Sequence, residues 1–218
     1  GIVYDVPEKL EDHLDFVFPH DATLEWESMA TINLICSSWE SIGYKVHQFP
    51  LNKSFLSNWE KNISSCHLIH SLVEGFGSIA REGWIPSLCE ISGVPYIGSN
   101  PFVHSLCMSK SNLKIICQKL NIPTAEFYVL KDFSDFKKIP ETFFNEKHFI
   151  KPDCEGSGMG VDASHSISCS QAETAKISEK LLQMYPDGIL IERFLSGKEF
   201  TTGIIGENQP LFLPIAEV

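Results

Sequence analysis

Apolar residues recur at helical spacing along the first hundred residues and alternate with short apolar runs. Residues 26–44 carry an apolar stripe along one helix face, and Gly43 lies where such a helix would end. The same pattern predicts further helices over residues 54–62 and 79–91, and short strands over residues 1–4, 45–49, 67–72 and 94–97. Strands that alternate with helices predict a parallel sheet with crossover helices.

The pattern changes in the second half of the chain, where strands follow one another closely. A helix (110–120), a strand (126–130) and a short helix (133–138) come first. Strands are then predicted over residues 148–151, 161–168, 189–194, 199–205 and 211–218, with one helix over 171–184. Such clustering favours antiparallel pairing. We therefore predict an α/β domain (residues 1–100) followed by an α+β domain (residues 101–218).

A lysine at the end of a strand precedes a loop with three glycines. The apolar strand ends at Lys151, and Gly156, Gly158 and Gly160 alternate in the loop. Alternate glycines expose backbone N–H groups, and the lysine adds a positive charge, which suits a polyphosphate. No Gly-Lys-Ser/Thr sequence closes the loop and no helix follows it directly, which excludes a Walker A motif. A plain β-hairpin with a glycine turn remains the alternative interpretation.

A second candidate segment spans residues 189–200. An apolar strand reaches Glu192, a turn is predicted at Ser196-Gly197, and Glu199 begins the return strand. Backbone N–H and C=O groups of such a strand can bind an adenine edge, and a carboxylate can accept hydrogen bonds from two ribose hydroxyls. A surface hairpin with solvated charges explains the same pattern.

Composition narrows the classes of function. The net charge of −11 disfavours nucleic acid or an anionic membrane as a partner, although a local lysine cluster can still bind ATP. No apolar run reaches the length of a transmembrane helix. Seven cysteines without a C-x-x-C pair indicate reduced thiols, and we expect a cytoplasmic protein.

Several short motifs follow one another in the order and spacing of the D-alanine–D-alanine ligase family, and from residue 70 onward the chain resembles that family. The motifs are Glu74-Gly-Phe-Gly, Arg81-Glu-Gly, Pro86-Ser-Leu-Cys-Glu90, Gly93-Val-Pro-Tyr-Ile-Gly-Ser99, Met108-Ser-Lys110 with Lys114, Ile150-Lys-Pro152, Glu155-Gly-Ser-Gly-Met-Gly160, Ile191-Glu-Arg-Phe194 and Ser196-Gly-Lys-Glu-Phe200. The resemblance implies an ATP-grasp fold. A Rossmann-like amino-terminal domain would precede a domain that holds ATP between antiparallel sheets.

The resemblance also implies roles for individual residues. ATP phosphates would contact Lys110 and Lys151, and a flexible loop of residues 155–160 would close over them. Adenine would be held by Glu192, Arg193, Phe194 and Leu195, and ribose by Glu199.

Two residues receive catalytic roles from the resemblance. Ser157 would position the substrate carboxylate or acyl-phosphate. Glu25 would receive the ammonium of the first amino acid, with Glu27 as the competing candidate. The chain departs from the family at Gly158, where a second serine is usual, and this departure weakens the assignment of a specific substrate contact.

The implied reaction joins an amino-acid carboxylate to an amine through an acyl-phosphate, with ATP and Mg²⁺. D-alanyl-D-alanine for peptidoglycan is the first expected product, and another dipeptide or a depsipeptide is the alternative. We expect the magnesium ligands beyond Val218, in a longer ligase, and expect this chain alone to be inactive. The resemblance implies small amino-acid substrates and is compatible with a homodimer. The rival hypothesis is a non-catalytic nucleotide-binding or regulatory module of the same fold.

Overall fold

The first sheet is parallel, as the alternating pattern predicts. The computed structural model describes residues 1–6, 21, 24–75, 77–162, 166–206 and 209–218. Its first four strands are β1 (Ile2–Tyr4), β2 (Gln48–Pro50), β3 (Ile69–Leu72) and β4 (Tyr96–Ile97), in the order β2-β1-β3-β4. Every pairing between them is parallel. We call these strands and the helices packed on them the parallel-sheet unit.

Helices cover both faces of this sheet. Neighbouring side chains of β1 point to opposite faces, and each set packs against different helices. Ile2 and Tyr4 pack with Ile32 of one helix, whereas Val3 packs with Ile63 and other residues on the opposite face. The helices are α1 (Met29–Ser41), α2 (Lys53–Ser57), α3 (Trp59–Ser64) and α4 (Trp84–Ser92). All these side chains are buried, so the sheet lies between two apolar clusters, one on each face.

Two predicted helices differ in detail. The helix predicted over residues 54–62 is two helices, α2 and α3, which meet at Asn58. The helix predicted over residues 79–91 begins as a 3-10 turn, Arg81–Gly83, before α4. This turn directs the Arg81 side chain inward, where it is 3% exposed.

Two helices connect the sheets. Helix α5 (Pro101–Met108) was not predicted, and it packs beside the Arg81–Gly83 turn. Helix α6 (Lys110–Lys119) follows after one residue. Helix α5 packs on the Arg81–Gly83 turn and on α4, whereas the first turn of α6 is bonded to Asp153 through Ser111. The predicted domain boundary near residue 100 stays a prediction.

The second sheet is antiparallel, in the order β5-β8-β6-β7. Its strands are β5 (Phe127–Leu130), β6 (His148–Pro152), β7 (Ile167–Ser168) and β8 (Ile189–Arg193). One face packs on helix α7 (Gln171–Met184) and on two 3-10 helices, Phe133–Lys138 and Glu141–Asn145. Of the strand predicted over residues 161–168 only β7 is formed, and residues 163–165 lie outside the described residues.

Two short antiparallel pairs end the chain: β9 (Phe200–Thr201) with β12 (Ala216–Glu217), and β10 (Ile204–Ile205) with β11 (Leu211–Phe212). Their side chains are exposed. Within the described ranges, no helix is long and apolar enough to cross a membrane. All seven cysteines are free thiols.

Candidate nucleotide-binding and active site

A cleft of about 730 Å³ lies between the antiparallel sheet, helix α6 and the loop of residues 155–160, which we call the glycine loop. Strand β6 alternates buried and half-buried side chains, so Ile150 faces the core while Phe149 and Lys151 face the cleft. Every residue predicted to bind nucleotide lines this cleft except Gly160. The two segments predicted from separate patterns are therefore adjacent in space.

Four lysines line the cleft: Lys198 and three others that come from two elements. Lys110 and Lys114 lie on α6 one turn apart and therefore on one helix face, and Lys151 ends β6. Lys110 is half-buried. Burial, and secondarily the charge of Lys151, lowers the pKa of its ammonium group from the usual lysine value. Lys114 received no role in the sequence-based site, although its spacing from Lys110 was the available signal.

Glu192 is the counter-ion of two of these lysines. One carboxylate oxygen lies 2.6 Å from Lys151 Nζ and the other lies 2.7 Å from Lys114 Nζ. Burial alone would raise the pKa of this carboxyl, but the hydrogen bonds from both lysines outweigh it, and the pKa is lowered. The side chain thus fixes two cations at the cleft wall, a contact that was not part of the predicted adenine role.

The glycine loop folds as two consecutive tight turns. Met159 N–H donates to Gly156 O at 2.9 Å, and the two residues between them, Ser157 and Gly158, both have positive φ. A turn with positive φ at both central positions is the type I′ geometry, which favours glycine. The next turn closes from Val161 N to Gly158 O at 3.0 Å.

This loop presents free backbone donors to the cleft. The N–H groups of Ser157 and Gly158 make no hydrogen bond to any residue in the described ranges, and both residues line the cleft. Met159, by contrast, is buried in the core and anchors the loop. Unpaired amides beside lysines form a site suited to an anion such as a phosphate group.

The end of β8 forms the opposite wall of the cleft. Phe194 N–H donates to Lys147 O at 2.9 Å, whereas Leu195 N–H makes no hydrogen bond within the part of the chain that the structure describes. Arg193 is directed away, with Nε 2.7 Å from a carboxylate oxygen of Glu126. The backbone at residue 195 therefore offers a donor of the type that the predicted adenine site requires, and Glu199 lies beside it at the cleft edge.

The two candidate glutamates of the resemblance occupy different environments. Glu27 is exposed, whereas the Glu25 side chain is 3% exposed and lies against the Cα of Gly156. Glu25 is paired with Arg81, whose Nη2 lies 3.1 Å from the carboxylate. The same Nη2 lies 2.7 Å from Glu155 at the start of the glycine loop. The carboxylate assigned to a substrate ammonium thus already has a cation of the protein beside it.

Residues next to the loop explain its position. Asp153 is fully buried and accepts hydrogen bonds from Ser111 N at 2.8 Å and Ser111 Oγ at 2.6 Å, which ties β6 to the first turn of α6. Its neighbour Cys154 is also buried, and burial, with a smaller effect of Asp153, raises the pKa of the thiol to about 11. Burial therefore keeps this thiol protonated near neutral pH and disfavours a thiolate nucleophile at this position.

Gly160 does not line the cleft but packs closely against Pro152 and Tyr185. Its N–H donates to a carboxylate oxygen of Asp21 at 2.8 Å, and a side chain at this glycine would collide with Pro152 and Tyr185. Asp21 had no predicted role. In the described ranges no three His, Cys, Asp or Glu side chains come together as a metal site, and the predicted ligands beyond Val218 remain a prediction.

The chain resembles known ligases in sequence and in fold. The family model "D-ala D-ala ligase C-terminus" matches residues 116–218. The D-alanine–D-alanine ligase of Desulforudis audaxviator is 23% identical over 88% of this chain and 60% of its own length. That of Neisseria meningitidis serogroup A is 30% identical over 62% of this chain and 42% of its own length.

The solved structure of D-alanine–D-alanine ligase from Bacillus anthracis complexed with ATP superposes on 99% of this chain and 64% of that chain, with a TM-score of 0.68 and 19% identity. This likeness shows the fold, an α/β unit with a parallel sheet followed by part of an ATP-grasp unit with an antiparallel sheet. The chain is thus similar to D-alanine–D-alanine ligases in sequence and in fold. It spans about 40 to 60% of the length of the curated relatives that it matches.

Proposed function

We propose that the protein acts as an ATP-dependent ligase that joins the carboxylate of one amino acid to the amine of another through an acyl-phosphate. The observation that carries this proposal is the convergence of Lys110, Lys151 and the unpaired amides of the glycine loop on one cleft. The names of its relatives make D-alanine the first candidate for both amino acids. Another dipeptide or a depsipeptide remains the alternative product.

In this proposal Lys110 and Lys151 bind the phosphates of ATP, and the N–H groups of Ser157 and Gly158 bind the oxygens of the transferring group. The carboxylate oxygen of the first substrate attacks the γ-phosphorus, ADP leaves, and the resulting acyl-phosphate has a good leaving group. The amine of the second substrate then displaces phosphate and loses a proton. Fixed donors around the phosphoryl group stabilise its charge without reorganisation.

Ser157 and Glu25 keep their proposed catalytic roles, with one qualification that the geometry adds. Ser157 is exposed at the tip of the type I′ turn, where its hydroxyl can contact a substrate carboxylate. Glu25 lies next to the same loop but is paired with Arg81. A substrate ammonium would have to share that carboxylate, so Glu25 acts on the loop as much as on the substrate.

In the proposed reaction Mg²⁺ would bind to ATP as its counter-ion and would neutralise phosphate charge. The described residues gather no set of three metal-ligating side chains, so no residue of this chain is assigned to Mg²⁺. We further propose that the protein works in the cytoplasm on small amino-acid substrates, in line with its seven free thiols.

The test is turnover that depends on D-alanine. The full-length protein is incubated with ATP, MgCl₂ and D-alanine, ADP release is followed by a coupled assay, and the dipeptide is detected by mass spectrometry. The expected result is dipeptide formation that requires both ATP and D-alanine, with L-alanine as the control substrate. Calorimetry with a non-hydrolysable ATP analogue accompanies the assay. Analogue binding without turnover with any amino acid would favour the nucleotide-binding module.

A further inference from the structure

Arg81 connects the parallel-sheet unit to the start of the glycine loop. Its guanidinium lies 2.7 Å from a Glu155 carboxylate oxygen and 3.1 Å from a Glu25 carboxylate oxygen, and it donates to Cys154 O at 3.1 Å. The side chains of Arg81 and Glu25 are each 3% exposed, and that of Glu155 is 16% exposed. The buried Arg81 guanidinium therefore binds the Glu25 carboxylate and also binds the Glu155 carboxylate and the Cys154 carbonyl at the start of the glycine loop.

A second carboxylate, that of Asp21, binds the other end of the loop. The Asp21 carboxylate accepts a hydrogen bond from Gly160 N–H at 2.8 Å and further ones from Tyr185 Oη at 2.7 and 2.8 Å. The glycine loop is thus held at residue 155 by Arg81 and at residue 160 by Asp21. Between these two points Ser157 and Gly158 line the cleft, and their N–H groups make no hydrogen bond to a described residue.

The Arg81 guanidinium compensates the negative charge of two neighbouring carboxylates. Glu25 and Glu155 are two carboxylates that share one buried guanidinium nitrogen, and without it they would repel each other in a region that water scarcely reaches. Burial raises the pKa of Glu155, with Arg81 opposing that change. Lys110 donates to the backbone carbonyl of the same residue, so Glu155 joins the phosphate-side lysine to Arg81.

We propose that Arg81 is a positioning residue for the proposed ligase: it holds the glycine loop against the parallel-sheet unit, with the loop amides facing the nucleotide cleft. The expected effect on nucleotide affinity rests on the proposed function, whereas the contacts of Arg81 with the loop do not depend on it. A loop that is already held in its binding conformation loses less entropy when a ligand binds. Without Arg81 the nucleotide itself must order the loop, and its affinity falls.

The first experiment is amide hydrogen exchange of the 218-residue chain without ligand. The variants are Arg81→Met and Glu155→Gln. The second one keeps the pair between Arg81 and Glu25 and so leaves no buried carboxylate without its cation. Exchange at Met159, Gly160 and Val161 is expected to be about tenfold faster in both variants, with unchanged protection in β6 and β8. Lys138→Met, which breaks an exposed ion pair with Asp135, is the matched control and should change nothing at the loop.

The second experiment measures affinity for a non-hydrolysable ATP analogue by calorimetry. We expect about a tenfold weaker Kd for Arg81→Met and partial rescue by Arg81→Lys, which keeps the charge but loses the two-sided contact. If Arg81→Met loses protection throughout the chain, Glu155→Gln decides the question. Unchanged loop exchange in Glu155→Gln would overturn the positioning role. Absent analogue binding in the wild type, together with faster loop exchange in the variants, would refute the proposed function and leave the positioning role standing.

Discussion

Two glycines of the loop differ in what an added methyl group would meet, and this difference gives a sharp stability prediction. A Cβ at Gly160 would lie 2.6 Å from Pro152 Cγ and 2.7 Å from Tyr185 Cε2. A Cβ at Gly158 would have no atom within 4 Å. Both residues have positive φ, +68° and +79°, so both alanine variants share the same type of backbone strain.

The magnitudes follow from these contacts. A non-glycine residue in the left-handed region costs about 1–2 kcal/mol, which applies to both variants. Overpacking against rigid neighbours adds about 1–3 kcal/mol at Gly160 alone. Tyr185 is buried and its hydroxyl is bonded to Asp21, so the ring has little freedom to move aside. We expect Gly158→Ala to cost about 1–2 kcal/mol and Gly160→Ala about 2–5 kcal/mol in the free energy of unfolding.

Urea unfolding followed by circular dichroism measures the unfolding free energy of each variant, and calorimetry with an ATP analogue measures its nucleotide affinity. Gly158 lines the cleft, and its N–H makes no hydrogen bond to a described residue, so its variant should lose nucleotide affinity while losing less stability than Gly160→Ala. Equal destabilisation by the two variants, or the larger cost at Gly158, would refute the packing argument. Full nucleotide affinity in Gly158→Ala would refute the role of the loop tip.

Three further predictions concern charged and ionisable groups. Lys151→Ala should weaken an ATP analogue roughly ten- to a hundredfold in calorimetry, because a charge-assisted phosphate contact is lost, and an unchanged Kd would contradict the phosphate role. The pKa of Glu192 is lowered on folding, so its contribution to stability is complete above the ordinary glutamate value of 4.5 and disappears as the pH falls below it. Denaturation at pH 7 and pH 3.5 should therefore show a larger loss of stability in the wild type than in Glu192→Gln; equal losses would contradict it. Cys154, with a pKa of about 11, should resist iodoacetamide at pH 8 in the folded protein while the exposed Cys107 and Cys169 react, as mass spectrometry of peptides can establish.

Local sequence determines those parts of the fold that could be predicted. Helix α7 was predicted at residues 171–184 and is observed as Gln171–Met184, because Ser170 caps its first turn and its apolar stripe is regular. The change from parallel to antiparallel pairing was also confirmed. Helix α5 was missed although Asn100 and Pro101 form a typical N-cap and N1 pair. That signal was present and was interpreted only as a turn.

The contacts between the two units could not be predicted from local pattern. Arg81 lies 56 residues from Glu25 and 74 residues from Glu155 in sequence, and only the packed sheets bring the three side chains together. Asp21 lies 139 residues from Gly160. The resemblance identified a glycine loop over the cleft, but not the side chains that hold it.

The distribution of charge in the cleft is compatible with the proposed binding of an anionic nucleotide by a protein whose net charge is −11. Net charge acts over long distances and is screened by salt, whereas a bound phosphate interacts mainly with groups a few ångströms away. Lys110, Lys114 and Lys151 would repel one another at one cleft wall, and Glu192 compensates two of them. A polyphosphate brings more negative charge than one carboxylate, so it can compensate all three and also use the loop amides that Glu192 does not contact. Glu192 thus stabilises two lysines at the cleft wall in the free protein, and the cleft still has more positive charge than this one carboxylate compensates.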